Sequence, residues 1–235
     1  MSIKIFLKKV LNRLGFLKNS PRLNNVNWGD LDRLTPFSIQ FGYDRGGPVD
    51  RYYIENFLEK NRHLVKGDVL EIGDNEYTLR YGDPTTKSHI LHVDANNPDA
   101  TYVGDLSNAP HIPDNKFDCI ILTQTLHLIY ECDKALETCY RILKPGGVLL
   151  LTVPGISNID FTDWKKYWLW SFTDNVINKL FDETFHGSKF ETEVFGNVMV
   201  ATAFLYGMGL PEIPKEKLDA NDPHYQVIIT VKAVK

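Results

Sequence analysis

Apolar residues in the middle of the chain come in short blocks, each closed by turn residues. Val69-Leu70-Glu71-Ile72-Gly73 is the first, and residues 89–94, 102–105, 117–122 and 148–153 repeat the pattern. Blocks of this length bounded by Gly, Asp and Asn predict strands buried on both faces. Between them, residues 133–143 place Ala135, Leu136, Cys139, Tyr140 and Leu143 on one helical face, and Pro145-Gly146-Gly147 is expected to stop that helix and turn the chain into the next strand. Further on, a helix is predicted from Thr173, with Asp174 in its first turn, then a strand over 190–195, a helix over 197–206 and a closing strand over 226–233. Apolar strands alternating with helices predict an α/β fold, a doubly wound and mostly parallel sheet with helices on both faces. One such domain is expected over residues 30–235.

A different pattern precedes it. Ile3, Phe6, Leu7, Val10, Leu11, Leu14 and Leu17 recur at helical spacing, interleaved with Lys4, Lys8, Lys9, Arg13, Lys18 and Arg22, and no acid occurs before Asp30. Lysines interrupt every stretch that could act as the apolar region of a signal peptide. Residues 1–29 therefore read as a basic amphipathic segment and linker. Two roles stay open for it: a helix packed on its own domain or on a second subunit, and a peripheral anchor on an anionic membrane surface through residues 1–22. Monomer and homodimer are equally compatible with the sequence.

Composition narrows the class. The 235 residues are 43% hydrophobic and 24% charged, with a net charge of −4, which is globular chemistry without the basic excess of a nucleic-acid binder. The three cysteines form no CxxC pair and suggest neither a disulfide framework nor a metal site, so reduced thiols and a cytoplasmic location, extending to the inner membrane face if the anchor operates, are expected.

In an open parallel sheet, ligands bind beyond the carboxyl ends of the strands. Gly73 ends the first strand and lets a ligand approach the backbone; Asp94 ends the second, where a carboxylate suits ribose hydroxyls; Asp105 and Leu106 follow the third and suit an adenine amino group and ring. Thr123, Gln124 and Thr125 follow the fourth and are expected at the reacting centre. Strand-end Asp and Gly are common turn residues singly, but in this order they point to a nucleoside cofactor.

These residues are similar to the core of a class I S-adenosylmethionine-dependent methyltransferase, and residues 141–149, Arg-Ile-Leu-Lys-Pro-Gly-Gly-Val-Leu, are similar to that family's helix-to-fifth-strand signature. More narrowly, Phe41-Gly42-Tyr43-Asp44-Arg45-Gly46, Asp50-Arg51-Tyr52-Tyr53-Ile54 and Asp222-Pro223-His224-Tyr225 resemble bacterial members associated with glycosyltransferase and cell-surface polysaccharide genes. The resemblance implies a Rossmann-like seven-stranded sheet with its last strand antiparallel, S-adenosylmethionine as cofactor, and O-methylation of a carbohydrate or capsule- or lipopolysaccharide-type glycan precursor. It departs from the family at the cofactor loop, where Glu71-Ile72-Gly73-Asp74-Asn75-Glu76-Tyr77 keeps one glycine of three; Asp74 and Asn75 tolerate left-handed backbone and would let a tighter loop form. A non-catalytic domain docking a glycan-assembly complex is the alternative.

On this reading the cofactor is held by Arg45, Arg51, Tyr53, Glu71, Gly73, Asp74, Asn75, Tyr77, Asp94, Asp105, Leu106 and Thr123. Arg45 or Arg51 would meet its carboxylate, while the alternative for the tyrosines is core packing. His127, just beyond the fourth strand, is the candidate general base, with Gln124 positioning the acceptor hydroxyl. In the run 163–173, Asp163, Trp164, Tyr167 and Trp168 are candidates for a sugar-stacking wall, with core packing the alternative for the tryptophans; similar relatives carry Trp-Arg-Phe-Thr, and Leu169 to Ser171 replaces that arginine here.

Overall fold

All five blocks before residue 155 form strands. In a computed structural model that describes residues 24–235, they are β1 (Asp68–Ile72), β2 (Lys87–His92), β3 (Tyr102–Val103), β4 (Phe117–Thr123) and β5 (Leu143–Pro154), followed by β6 (Lys189–Phe195) and β7 (Ile228–Val234). The helices are α1 (Asp50–Asn61), α2 (Glu76–Tyr81), α3 (Cys132–Ile142), α4 (Asp174–Thr184), α5 (Val198–Leu205) and α6 (Lys215–Asp219). The strand order is β3-β2-β1-β4-β5-β7-β6, with β7 antiparallel to both neighbours and every other pairing parallel. The chain divides into two units, residues 1–35 and 36–235. In the first, a 3-10 turn spans Gly29–Leu31 and buries nothing, and the expected basic helix of residues 1–22 lies outside the described residues.

Strand alternation splits the core into two layers. Leu70, Ile120, Leu122, Leu149 and Leu151 face α3 and α4 with Leu136, Cys139, Ile177 and Phe181, while Val69, Cys119, Ile121, Val148 and Leu150 face α1 and α2 with Ile54, Leu58 and Tyr77. All three cysteines are buried thiols, and burial pushes Cys132 up to about 11 and Cys139 up to about 12.

The Pro-Gly-Gly run does not separate α3 from its strand. α3 ends at Ile142 and β5 has already begun, pairing Leu143 with Phe117 before the register jumps to Val148 opposite Cys119. The run is therefore a bulge inside β5. Its glycines bond the last residue, Gly146 N to Lys235 O at 2.8 Å and Lys235 N to Gly147 O at 3.0 Å. Thr173 occupies the N-cap of α4 without a side-chain cap bond; the Asp174 amide instead donates to Gln226 Oε1 at 2.9 Å.

Candidate functional site

Beyond the carboxyl ends of β4 and β5 lies a cavity of about 420 Å³. Gln124, His127 and Leu128 from the turn after β4 line it, as do Pro154, Ser157 and Asp160 after β5 and Trp164 and Trp168 farther along. The segment before β1 contributes Phe41, Tyr43, Pro48, Asp50 and Arg51. That segment is clamped from behind: Pro48 bridges Gly209, and a Cβ on Gly209 would stand 1.9 Å from Arg45 O, so only glycine fits.

Gln124 has φ +45°, a left-handed turn that ends β4. Its Nε2 lies 3.3 Å from Thr152 Oγ1, which turns the amide along the strand ends. His127 is 2% exposed, its ring 4.4 Å from that of Trp168 and its carbonyl accepting from the amides of Leu169 and Trp170. Burial without a charged partner holds its imidazole down to about 4, so it is neutral at physiological pH. Among the described residues, two buried side-chain polar atoms lack a hydrogen-bond partner: His127 Nδ1 and Asp50 Oδ1. Both belong to walls of this cavity. Burial raises the Asp50 carboxyl above the ordinary aspartate range against the pull of Arg51.

The strand ends on the other side of β1 carry Gly73, Asp94 and Asp105, a candidate cradle. Gly73 has φ +95° and nothing within 4 Å of the place a Cβ would take, its amide bonded to Leu91 O at 3.0 Å and its carbonyl held by Asn97 Nδ2 at 3.1 Å. Asp94 accepts from the Asn96 amide at 2.9 Å through Oδ1, and Asp105 accepts from Ser107 N and Oγ, both at 2.8 Å and both through Oδ1. Each carboxylate thus keeps its second oxygen for a ligand. Arg51 joins cradle to cavity, donating to the hydroxyls of Tyr77, in the first turn of α2, and Tyr43, the latter at 2.9 Å.

Several expected contacts are corrected. Glu71 points inward at 2% exposure, accepting from Tyr77 N at 3.1 Å and from Thr78 N and Oγ1 at 2.7 Å, so its oxygens are taken up anchoring α2. Desolvation outweighs those bonds and pushes it up to about 7. Tyr53 is core, stacked on Phe195 at 5.6 Å with its hydroxyl on Leu218 O at 3.0 Å, because Asp50 and Arg51 face the cavity and the helix turns Tyr53 away. Leu106 is buried at 3%. The carboxylate that Arg45 meets is Glu212, in an ion pair closing the loop that carries it. Asp74 accepts from the Glu76 amide and Asn75 donates to Ser88 Oγ, both at 3.1 Å, and of the loop only Gly73 is left-handed. Thr123 ends β4 opposite Thr152 and, like Asp163 and Tyr167, is outside the cavity lining. Asp50 escapes a sequence reading because an acid opening a helix beside an arginine reads as ordinary dipole compensation.

Residues 81–151 match the family model described as a methyltransferase domain. A ubiquinone/menaquinone biosynthesis C-methyltransferase of Pasteurella multocida is 38% identical over 98 residues, 41% of this chain and 35% of that protein. Its counterpart in Haemophilus ducreyi is 49% identical over 47 residues, 19% of this chain and 18% of its own length. The chain thus spans about a third or less of the curated relatives it matches. Among solved structures, a methyltransferase of Mesorhizobium loti superposes with TM-score 0.52 at 15% identity, covering 80% of this chain and 99% of that one. One of Archaeoglobus fulgidus gives 0.51 at 12%, covering 79% and 94%. The fold is that of S-adenosylmethionine-dependent methyltransferases, and residues 81–151 carry the likeness to a methyltransferase domain. The donor set fits the cofactor: an unobstructed glycine at the end of β1, two strand-end carboxylates each with an oxygen to spare, and an orphaned carboxylate oxygen beside a guanidinium.

Proposed function

We propose that the protein methylates a hydroxyl of a small ring-bearing acceptor, with a carbohydrate or glycan precursor as the class in view. The observation that carries this reading is the cavity itself, an aromatic wall facing two buried polar atoms that lack partners. Trp164 and Trp168 suit the apolar face of a sugar ring, and Gln124, Ser157 and Asp160 suit its hydroxyls. Asp94 and Asp105 would hold the ribose and adenine, Gly73 would admit the cofactor against the backbone, and Arg51 would meet its carboxylate. When bound, S-adenosylmethionine supplies an electrophilic methyl group on a sulfonium.

The chain's own residues then orient the acceptor and take its proton. Gln124 fixes the hydroxyl by a hydrogen bond, and the neutral His127 packs beside it in the cavity wall. A group held down to about 4 is a weak base near neutrality, so burial shifts His127 from the expected general base toward positioning. Asp50, whose carboxyl is raised by burial in the same cavity, is then the candidate proton acceptor.

Titration with S-adenosylmethionine and S-adenosylhomocysteine tests the enzyme against a non-catalytic docking domain: saturable binding is expected, and none at millimolar cofactor would overturn it. Labelled methyl transfer to a panel of nucleotide sugars, with the product linkage read by NMR, tests the acceptor. A second reading has its own observation, since the matched bacterial relatives are C-methyltransferases. In that case a carbon–methyl product on an aromatic or quinol ring would replace the methyl ether.

A further inference from the structure

Scattered exposed apolar side chains are ordinary on a protein surface, but a contiguous set is not. Within residues 159–170, Ile159, Phe161, Trp164, Tyr167, Leu169 and Trp170 are all exposed, from 38% for Trp170 to 56% for Phe161. Tyr130, 72% exposed, extends the strip by stacking on Trp170 at 5.7 Å. The strip is held at its Leu169–Trp170 end: Trp170 Nε1 donates to Ile129 O at 3.0 Å, and the Leu169 and Trp170 amides donate to His127 O at 3.1 and 3.2 Å. We propose that this strip seats the protein on an anionic lipid bilayer, with the mouth of the cavity turned toward the membrane.

Three features select that occupant. Lys165 and Lys166 interrupt the aromatic run and take no carboxylate partner among the described residues, Lys166 Nζ standing 4.8 Å over the Tyr167 ring. Of the two acids in the run, Asp160 is turned back onto the Thr162 amide and hydroxyl, leaving the exposed Asp163 against the two lysines. Aromatic rings alternating with such lysines match the headgroup level of a bilayer, where the rings are half-immersed and the ammonium groups meet lipid phosphates. Trp164 and Asp160 belong to the strip and the cavity wall at once. A folded partner or a second copy pressed over them would cover the entrance, whereas a fluid bilayer would leave it open to an amphiphilic acceptor. The sequence outside this unit carries the same sign, with six basic residues and no acid before Asp30.

The test is sedimentation of the full chain with vesicles of phosphatidylcholine alone or mixed with phosphatidylglycerol, with tryptophan emission read in parallel. The wild type should bind the mixed vesicles and shift its emission to the blue. Phe161→Ser with Leu169→Ser, neither in the cavity wall, should weaken binding by about tenfold or more. Lys165→Glu with Lys166→Glu should abolish the preference for phosphatidylglycerol. Both variants should keep the wild-type circular dichroism and cofactor affinity. The proposal is overturned if the wild type ignores both lipids, if the serine variant binds as tightly as the wild type, or if the glutamate variant keeps its preference. It is equally overturned if the wild type self-associates and the serine variant does not, which would assign the strip to a second copy.

Discussion

His127 and Asp50 sit in one cavity with opposite responses to burial. A buried imidazole resists protonation and a buried carboxylate resists ionisation, so burial lowers the His127 imidazole and raises the Asp50 carboxyl. The linkage has a definite sign. His127 accepts a proton near 6.5 when unfolded but only near 4 when folded, so the unfolded chain binds more protons between those values and stability is lost as pH falls from one to the other. His127→Leu should recover about 2 kcal/mol of that loss at pH 4, less than the full shift because the ring faces an open cavity, and urea melts at pH 4 and 7 check it. No acid limb of the wild-type rate near pH 6.5 should come from the His127 imidazole. A limb there that His127→Ala removes would restore the imidazole as the base. At the cradle, Asp94→Ala should weaken S-adenosylhomocysteine binding by about 30-fold, roughly 2 kcal/mol, by calorimetry.

At the scale of elements, the β1–α2 junction is the informative one. Glu71 is spent on the first turn of α2, satisfying two backbone amides and one hydroxyl that no other group supplies. Glu71→Ala should cost about 3 kcal/mol in urea unfolding and weaken cofactor binding as well, because the Gly73 loop is strung between β1 and α2. The same junction shows what a sequence discloses. β1, β2, β4 and α3 were legible because apolar periodicity directly encodes burial, and Gly73 was legible as a strand-end glycine, while Asp74 and Asn75, expected to tolerate left-handed backbone, do not adopt it. The strand ends with Asp94, Asp105 and Gln124 followed from topology. The inward turn of Glu71 and the core position of Tyr53 were not legible, since both depend on the rotation of a helix about its axis, which one residue of phase decides. The bulge in β5 was hidden for a related reason: Pro-Gly-Gly signals a break in any element, and only pairing with β4 shows that the strand continues through it.

For the molecule as a whole, the sheet and its two covering layers account for the core from Val49 to Ala233. Deleting residues 1–22 should therefore leave the thermal melt cooperative and cofactor affinity unchanged; loss of either would show that the basic segment packs on the domain. The cavity draws on chain distant from itself, with floor residues from the turns after β4 and β5 and walls from Phe41 to Arg51, from Trp164 and Trp168, and from Phe204. The Asp94 and Asp105 end of the cradle draws on none of those walls.

That division has a practical meaning for redesign. On the proposed function, reagent handling and acceptor choice draw on different segments: the segment between Gly155 and Phe172 is tethered at one end by β5 and at the other by the Phe172 amide on Pro154 O at 3.0 Å, so its two ends meet at one point of the scaffold. A loop that leaves and returns at the same place is exchangeable as a cassette. Substituting it for the corresponding loop of another methyltransferase would rewrite which molecules are admitted while the strands and the Asp94 and Asp105 contacts stay as they are.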